Sequence, residues 1–134
     1  MTDLEILRKL ERQLNSNIKK VDLSEYFSLD VSRNAKYVMN EGNIVRLLLN
    51  NFQLEEVPEL IGKLTHLEHL NLSVNKISRF PSSMEFEDIE SLELSGNGFT
   101  DLRSLKNFKH VKLEILMNVT TPFRRKLTTH SGRN

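Results

Sequence analysis

The chain contains no cysteine among its 134 residues. This absence excludes a disulfide framework, a thiolate metal site and a cysteine nucleophile, and it favours a cytoplasmic location. No apolar run approaches the about 20 residues that a membrane span requires, and the start, Met1-Thr2-Asp3, is unlike a secretory signal. The formal net charge is +1, without the basic excess of a general nucleic-acid binder. We therefore expect a cytoplasmic protein whose partner is neither a nucleic acid nor a membrane.

The charged residues are unevenly distributed along the chain. Lysine and arginine are absent between Phe80 and Leu102, and the acids of that interval are Glu85, Glu87, Asp88, Glu90, Glu93 and Asp101. After Glu114 there is no acid, and the end of the chain carries Arg124, Arg125, Lys126 and Arg133. The sequence thus combines an acidic middle segment with a basic tail.

One pattern of apolar residues occurs three times, over residues 44–54, 67–77 and 89–99. Leu67-x-x-Leu70-x-Leu72-x-x-Asn75-x-Ile77 shows it best, and the units begin 23 and then 22 residues apart (67 minus 44, 89 minus 67). A period in this range predicts a unit made of a short strand, a tight turn and a return segment. A fourth, degraded unit runs from residue 110 to 120, as expected of a terminal repeat.

Two further elements are predicted before the first unit. Thr2-Asp3-Leu4-Glu5 has the form of a capping box, and leucines at three- and four-residue steps predict an amphipathic helix over residues 3–15. Residues 37–49, with Gly42 at the turn, predict a hairpin beside the first repeat strand. Residues 18–36 have no clean period, and we assign them only a connecting and capping role.

In these residues and their spacing, the chain resembles the leucine-rich repeat proteins, specifically the small archaeal and bacterial ones. The resemblance implies an α/β fold in which a short right-handed superhelical solenoid has a parallel sheet on its concave face and an N-terminal helix and hairpin as its cap. We expect three regions: the cap over 1–43, three full repeats and one degraded repeat over 44–120, and a C-terminal lid with a loose basic tail over 121–134.

The resemblance also implies protein recognition through the concave strand face, without enzymatic activity. On the repeat template, the strand residues that point out of this face form the candidate partner-binding set. They are Arg46, Leu48, Asn50, His69, Asn71, Ser91, Glu93, Lys112, Glu114 and Leu116. Ten such positions are fewer than the roughly 20 to 30 residues per side of a standard interface, so we expect a small or transient complex with a protein partner. We expect the chain itself to be a monomer.

Other polar residues are interpreted as structural. Asn75, Asn97 and Asn118 share the position at which each strand turns out of the sheet, where an inward amide can bond backbone groups. Glu93 and Glu114 occupy equivalent places on neighbouring strands, about 4.8 Å apart, which is near the carboxylate spacing of retaining glycosidases. Since no enclosed cleft or nucleophile is predicted around them, we expect no catalytic residue, metal ligand or cofactor.

Two alternatives remain open at this point. The chain could be a structural protein that associates with itself through its C-terminal unit and tail. It could also be a subunit of an RNA-containing complex that uses the basic C-terminal tail, although the concave face lacks the aromatic residues that stack on bases.

Overall fold

The computed structural model describes residues 1–28, 34–101, 103–105 and 108, together with the backbone of 112–114. The helices and strands of the described residues are α1 (Asp3–Leu14), β1 (Lys19–Lys20), α2 (Leu23–Tyr26), β2 (Asn34–Asn40), β3 (Asn43–Asn50), β4 (His69–Asn71), β5 (Ser91–Glu93) and β6 (Lys112–Glu114). Two short 3-10 helices, Glu59–Lys63 and Arg103–Leu105, lie in the connections.

All six strands form one sheet in chain order, and five of them have three or more residues. β2 and β3 pair antiparallel, and every other neighbouring pair is parallel. The described chain is therefore an α/β protein with a mixed, mostly parallel sheet, which confirms the coarse fold class predicted from the sequence. No helix within the described ranges combines the length and apolar character that a membrane crossing needs.

Helix α1 begins and ends where local sequence signals place it. The Thr2 hydroxyl accepts from the Glu5 amide while the Glu5 carboxylate accepts from the Thr2 amide, so the predicted capping box is present. The helix ends at Asn15, whose φ of 53° lies in the left-handed region that asparagine tolerates. Its apolar stripe, including the fully buried Leu7 and Leu10, packs on the main core.

The β2–β3 hairpin confirms the second local prediction. Its turn is formed by Glu41 and Gly42, both with positive φ, which is the conformation that a two-residue hairpin requires. The Asp3 carboxylate of α1 accepts a 2.8 Å hydrogen bond from the Ile44 amide of β3. This bond joins the helix to β3, the strand of the hairpin that pairs parallel with β4.

The parallel strands repeat with the register of the sequence pattern. Leu47, Leu70, Leu92 and Leu113 are successive Cα partners across β3, β4, β5 and β6. The first three are fully buried, and the return segments close the core from the other side with Ile61, Phe80 and Phe108. Phe80 and Phe108 meet edge to face with ring centroids 5.1 Å apart, a favoured aromatic geometry.

Asn75 bonds the backbones of two successive units. Its Oδ1 accepts from the amides of Phe52 and Leu54 at 2.9 and 3.1 Å. Its Nδ2 donates to the carbonyls of Leu49 and Leu72, both at 2.9 Å. These four backbone groups lie where the chain leaves the strands, so the buried amide takes the place of the missing strand partners.

Asn97 repeats this arrangement one unit later. Its Oδ1 accepts from the Ile77 amide at 2.9 Å, and its Nδ2 donates to the carbonyls of Leu72 and Leu94 at 2.9 and 3.0 Å. Asn118, the third member of the predicted set, lies outside the described residues. The two described asparagines therefore bond backbone on both sides of the second unit.

The turns after β3, β4 and β5 each have a left-handed residue at the equivalent position. Asn51, Val74 and Gly96 have φ values of 62°, 59° and 70°. The turns are stacked, because the Asn51 amide donates to the Val74 carbonyl at 2.9 Å and the Val74 amide to the Ser95 carbonyl at 2.8 Å. Asparagine and glycine suit this conformation, whereas a β-branched valine is strained in it.

We expect Val74→Asn to raise the free energy of unfolding by about 1 kcal/mol, because asparagine relieves a strain of that order. Val74 is 52% exposed, so the exchange removes little buried apolar surface. Urea unfolding followed by circular dichroism measures the change. Val74→Ala is the control, since it trims the side chain without supplying a residue suited to positive φ. A lower midpoint for Val74→Asn than for the parent would contradict the strain assigned to this turn.

Candidate functional site

Two rows of residues cross the sheet on the face that the sequence assigns to partner binding. Arg46, His69, Ser91 and Lys112 are successive register partners, and so are Leu48, Asn71, Glu93 and Glu114. We call this surface, with Asn50 at the end of β3, the strand face. The structure brings nine of the ten predicted residues to it, with Lys112 and Glu114 placed by their backbone only. Leu116 lies outside the described residues.

A segment that the sequence analysis left unassigned covers part of the strand face. Residues 21–28, which we call the cover segment, include α2, whose Asp22 caps it by accepting from the Glu25 amide at 2.9 Å. This hydrogen bond lowers the pKa of the Asp22 carboxyl. Tyr26 is the main contact, because its ring is buried and its hydroxyl donates to the Leu47 carbonyl at 3.2 Å.

The cover segment shows that the expected exposure of Leu48 is wrong. Leu48 is only 6% exposed and forms a small second core with Val21 and Tyr26, against which Val38 packs. The template correctly points this side chain away from the main core. It does not reveal that another part of the chain lies over it, so Leu48 stabilises the fold and is not accessible to a partner.

Lys36 fastens the cover segment to the sheet. Its ammonium is buried and donates to the Glu25 carbonyl at 2.8 Å and to the Ser28 hydroxyl at 3.1 Å. These bonds satisfy a buried cation with acceptors at the end of α2. The segment is therefore held by an apolar contact at Tyr26 and a polar contact at Lys36.

The expected exposure of His69 is also wrong, since it is 4% exposed. The Tyr26 ring meets it edge to face, with centroids 5.3 Å apart. His69 Nε2 lies 2.5 Å from Glu93 Oε2, and Asn71 Nδ2 donates to Glu93 Oε1 at 3.1 Å. Two side chains of β4 thus hold the carboxylate of Glu93 on β5.

The pKa of the Tyr26 hydroxyl reflects the charges around this cluster. Burial, and then the negative charge of Glu93, raise the pKa of the Tyr26 hydroxyl, while the positive charge of Arg46 opposes the shift. The hydroxyl therefore stays protonated and remains a donor to the Leu47 carbonyl. Arg46 and Glu93 present opposite charges on the two sides of the buried His69.

Phe27 forms the exposed end of the cover segment. It is 56% exposed, and the Arg46 guanidinium lies over its ring, 5.4 Å from the centroid. This distance is within the range of a cation–π contact. The strand face thus acquires an aromatic residue at its edge, which the sequence template did not place there.

Two buried polar atoms of the strand face have no hydrogen-bond partner among the described residues. They are His69 Nδ1 and Asn50 Oδ1. No group of three or more histidine, aspartate or glutamate side chains in the described ranges is arranged to hold a metal ion.

A separate groove lies among the return segments. Its volume is about 840 Å³, and its lining includes Glu55, Glu59, Lys76 and Arg79. None of the predicted partner-binding residues contributes to it. The groove is therefore distinct from the strand face.

Three residues of the site, Tyr26, Phe27 and Lys36, were missed by the sequence analysis. The available signal is Asp22 three residues before Glu25, an N-cap pattern that precedes two aromatic residues. A single helical turn is too short to produce a 3.6-residue period, so periodicity does not detect it.

Comparisons with known proteins do not assign the site. No protein-family model matches the chain, and a search of curated proteins found no similar sequence.

Proposed function

We propose that the chain is a leucine-rich repeat solenoid with a helix and hairpin cap over 1–43 and repeats over 44–120. The support is the parallel register of three strands at the 23- and 22-residue spacing and the equivalent backbone bonds of Asn75 and Asn97. The stacked left-handed turns at Asn51, Val74 and Gly96 add to it. The lid and tail proposed for 121–134 lie outside the described residues.

We further propose that the protein is a non-enzymatic, cytoplasmic module that binds a protein partner through its strand face. The proposal rests on one observation. Arg46, Asn71, Ser91 and Glu93 are half-exposed on adjacent strands, so a parallel sheet fixes their spacing at roughly 4.8 Å per strand. Such a surface offers fixed polar groups to another surface without enclosing a small molecule.

The accessible part of the strand face begins beside the cover segment. Leu48 and His69 lie beneath that segment, and its Phe27 is added at the edge. The accessible residues are fewer than the roughly 20 to 30 per side of a standard interface. We therefore propose a weak or transient complex, in which Phe27 supplies the apolar contact and the charged residues orient the partner.

Ser91→Arg tests the proposed function, because it places a long side chain in the middle of the accessible strand face. The partner is first captured from the source cells, identified and purified, and its affinity is then measured by calorimetry. We expect Ser91→Arg to weaken binding by about tenfold or more, a loss of at least ~1.4 kcal/mol. Ser83→Arg is the matched control, since it adds the same charge at an exposed residue of a return segment. Equal affinities for the parent and Ser91→Arg would rule out the strand face as the binding surface.

A further inference from the structure

The carboxylate of Glu93 is fixed in place and remains partly open to solvent. Its side chain is 26% exposed, and each oxygen already accepts one hydrogen bond, from His69 or from Asn71. A carboxylate accepts about four hydrogen bonds in all. Glu93 therefore keeps acceptor capacity on its exposed side, in an orientation that its two neighbours on β4 have set in advance.

No lysine or arginine among the described side chains forms an ion pair with Glu93. The sequence offers no such cation from Phe80 to Leu102, while Glu85, Glu87 and Glu90 in the same interval are exposed. Glu114 is the register partner of Glu93 on β6. Lys112, on the same strand, is the register partner of Ser91, so β6 adds one charge of each sign and the negative charge of Glu93 is left for a partner to balance.

The other side of the strand face has the opposite charge and an apolar surface. Arg46 lies on β3, two strands from Glu93, which corresponds to roughly 10 Å across the sheet. Its guanidinium rests on the exposed Phe27 ring. A cation from a partner would therefore be repelled at Arg46 and attracted at Glu93, so the two charges define one orientation for it.

We infer that Glu93 binds a basic side chain, arginine or lysine, of the partner protein, with the aliphatic part of the partner near Phe27. This inference rests on the proposed function, because it names the group that the strand face recognises. Arginine fits best, since its planar guanidinium can donate to a carboxylate whose orientation is already fixed. His69 and Asn71 order the Glu93 side chain before binding. Binding at Glu93 therefore costs less side-chain entropy than binding at a freely exposed acid.

The test is a selection of random peptides, displayed on phage, against the immobilised full-length chain. The peptides obtained are synthesised, and their affinities are measured for the parent, Glu93→Gln, Glu90→Gln and Ser91→Arg. Glu90→Gln is the matched control, because it removes the same charge from an exposed residue immediately before β5. Each peptide is also made with its arginine replaced by citrulline, which keeps the shape but removes the charge and needs no change to the protein.

We expect the selected peptides to share an arginine or lysine. Glu93→Gln should weaken their binding about tenfold or more, and Glu90→Gln less than about twofold. Replacing arginine by citrulline should weaken binding to the parent by the same factor. It should not weaken binding to Glu93→Gln any further, as a double-mutant cycle requires of two groups in contact. Association with the parent should also slow as salt is added.

The outcomes separate the inference from the proposed function. If Ser91→Arg abolishes binding while Glu93→Gln and citrulline leave it unchanged, the strand face binds peptides but Glu93 does not recognise a cation, and the inference is overturned. If Ser91→Arg also leaves binding unchanged, or if no peptide is enriched, the proposed function fails together with the inference.

Discussion

Leu92→Ala is expected to lower the free energy of unfolding by about 2–5 kcal/mol, which is the range for a buried leucine whose surroundings relax only in part. Leu92 is fully buried at the middle of β5 and is in register with Leu70 on one side and Leu113 on the other. The neighbouring strands are hydrogen-bonded to β5, so they cannot move in to fill the hole. Urea unfolding of parent and variant measures the difference, provided that both transitions are two-state.

The control for this experiment is Leu4→Ala, which makes the same chemical change in helix α1. Leu4 is exposed, and alanine is a good helix former. Its free energy of unfolding should therefore stay within about 0.5 kcal/mol of the parent value. If the two variants lose the same amount of stability, Leu92 is not in the core and the register described for β5 is wrong.

The elements that the sequence predicted well are those that depend on local signals. The capping box at Thr2 and Glu5 fixed the start of α1, and Gly42 marked the turn of the β2–β3 hairpin. The outward and inward positions of β3, β4 and β5 followed from the spacing of their leucines. In each case the residues that decide the structure lie within a few positions of one another, so a pattern in the chain reports them directly.

The cover segment could not be predicted in the same way, because its structure depends on contacts distant in the chain. Tyr26 bonds the carbonyl of Leu47, 21 residues later, and Lys36 reaches back to Ser28 and Glu25. An outward position on a strand is also not the same as an exposed one. Leu48 was placed on the correct face, yet its environment is decided by a helical turn that has no period of its own.

The pairing of His69 with Glu93 illustrates a second limit of sequence reasoning. Repeat spacing aligns His69 with Ser91 and Asn71 with Glu93. The register alone therefore places the histidine and the glutamate in different rows of the strand face. Their side chains are long enough to meet diagonally across the two strands, and burial of the ring beneath Tyr26 favours the contact. The register was thus predictable, whereas the rotamers that join the two rows were not.

Asn75→Ala is expected to destabilise the protein by about 3 kcal/mol or more, since each buried backbone group left without a partner costs about 1–3 kcal/mol. The amide of Asn75 bonds Phe52 and Leu54 through its oxygen, and Leu49 and Leu72 through its nitrogen. Alanine offers neither a donor nor an acceptor. Water that enters the space would recover part of the loss, so the value is sensitive to how closed the turn remains.

Two further variants turn this expectation into a graded series, measured by the same urea unfolding. Asn97→Ala removes an equivalent amide that is half-buried, so it should cost about 1–3 kcal/mol, less than Asn75→Ala. Asn17→Ala, at an exposed residue before β1, should change stability by no more than about 0.5 kcal/mol. If Asn75→Ala unfolded at the same urea concentration as Asn17→Ala, the backbone groups around Asn75 would have to be satisfied without it. The amide would then be a consequence of the stacked units and not one of the interactions that hold them together.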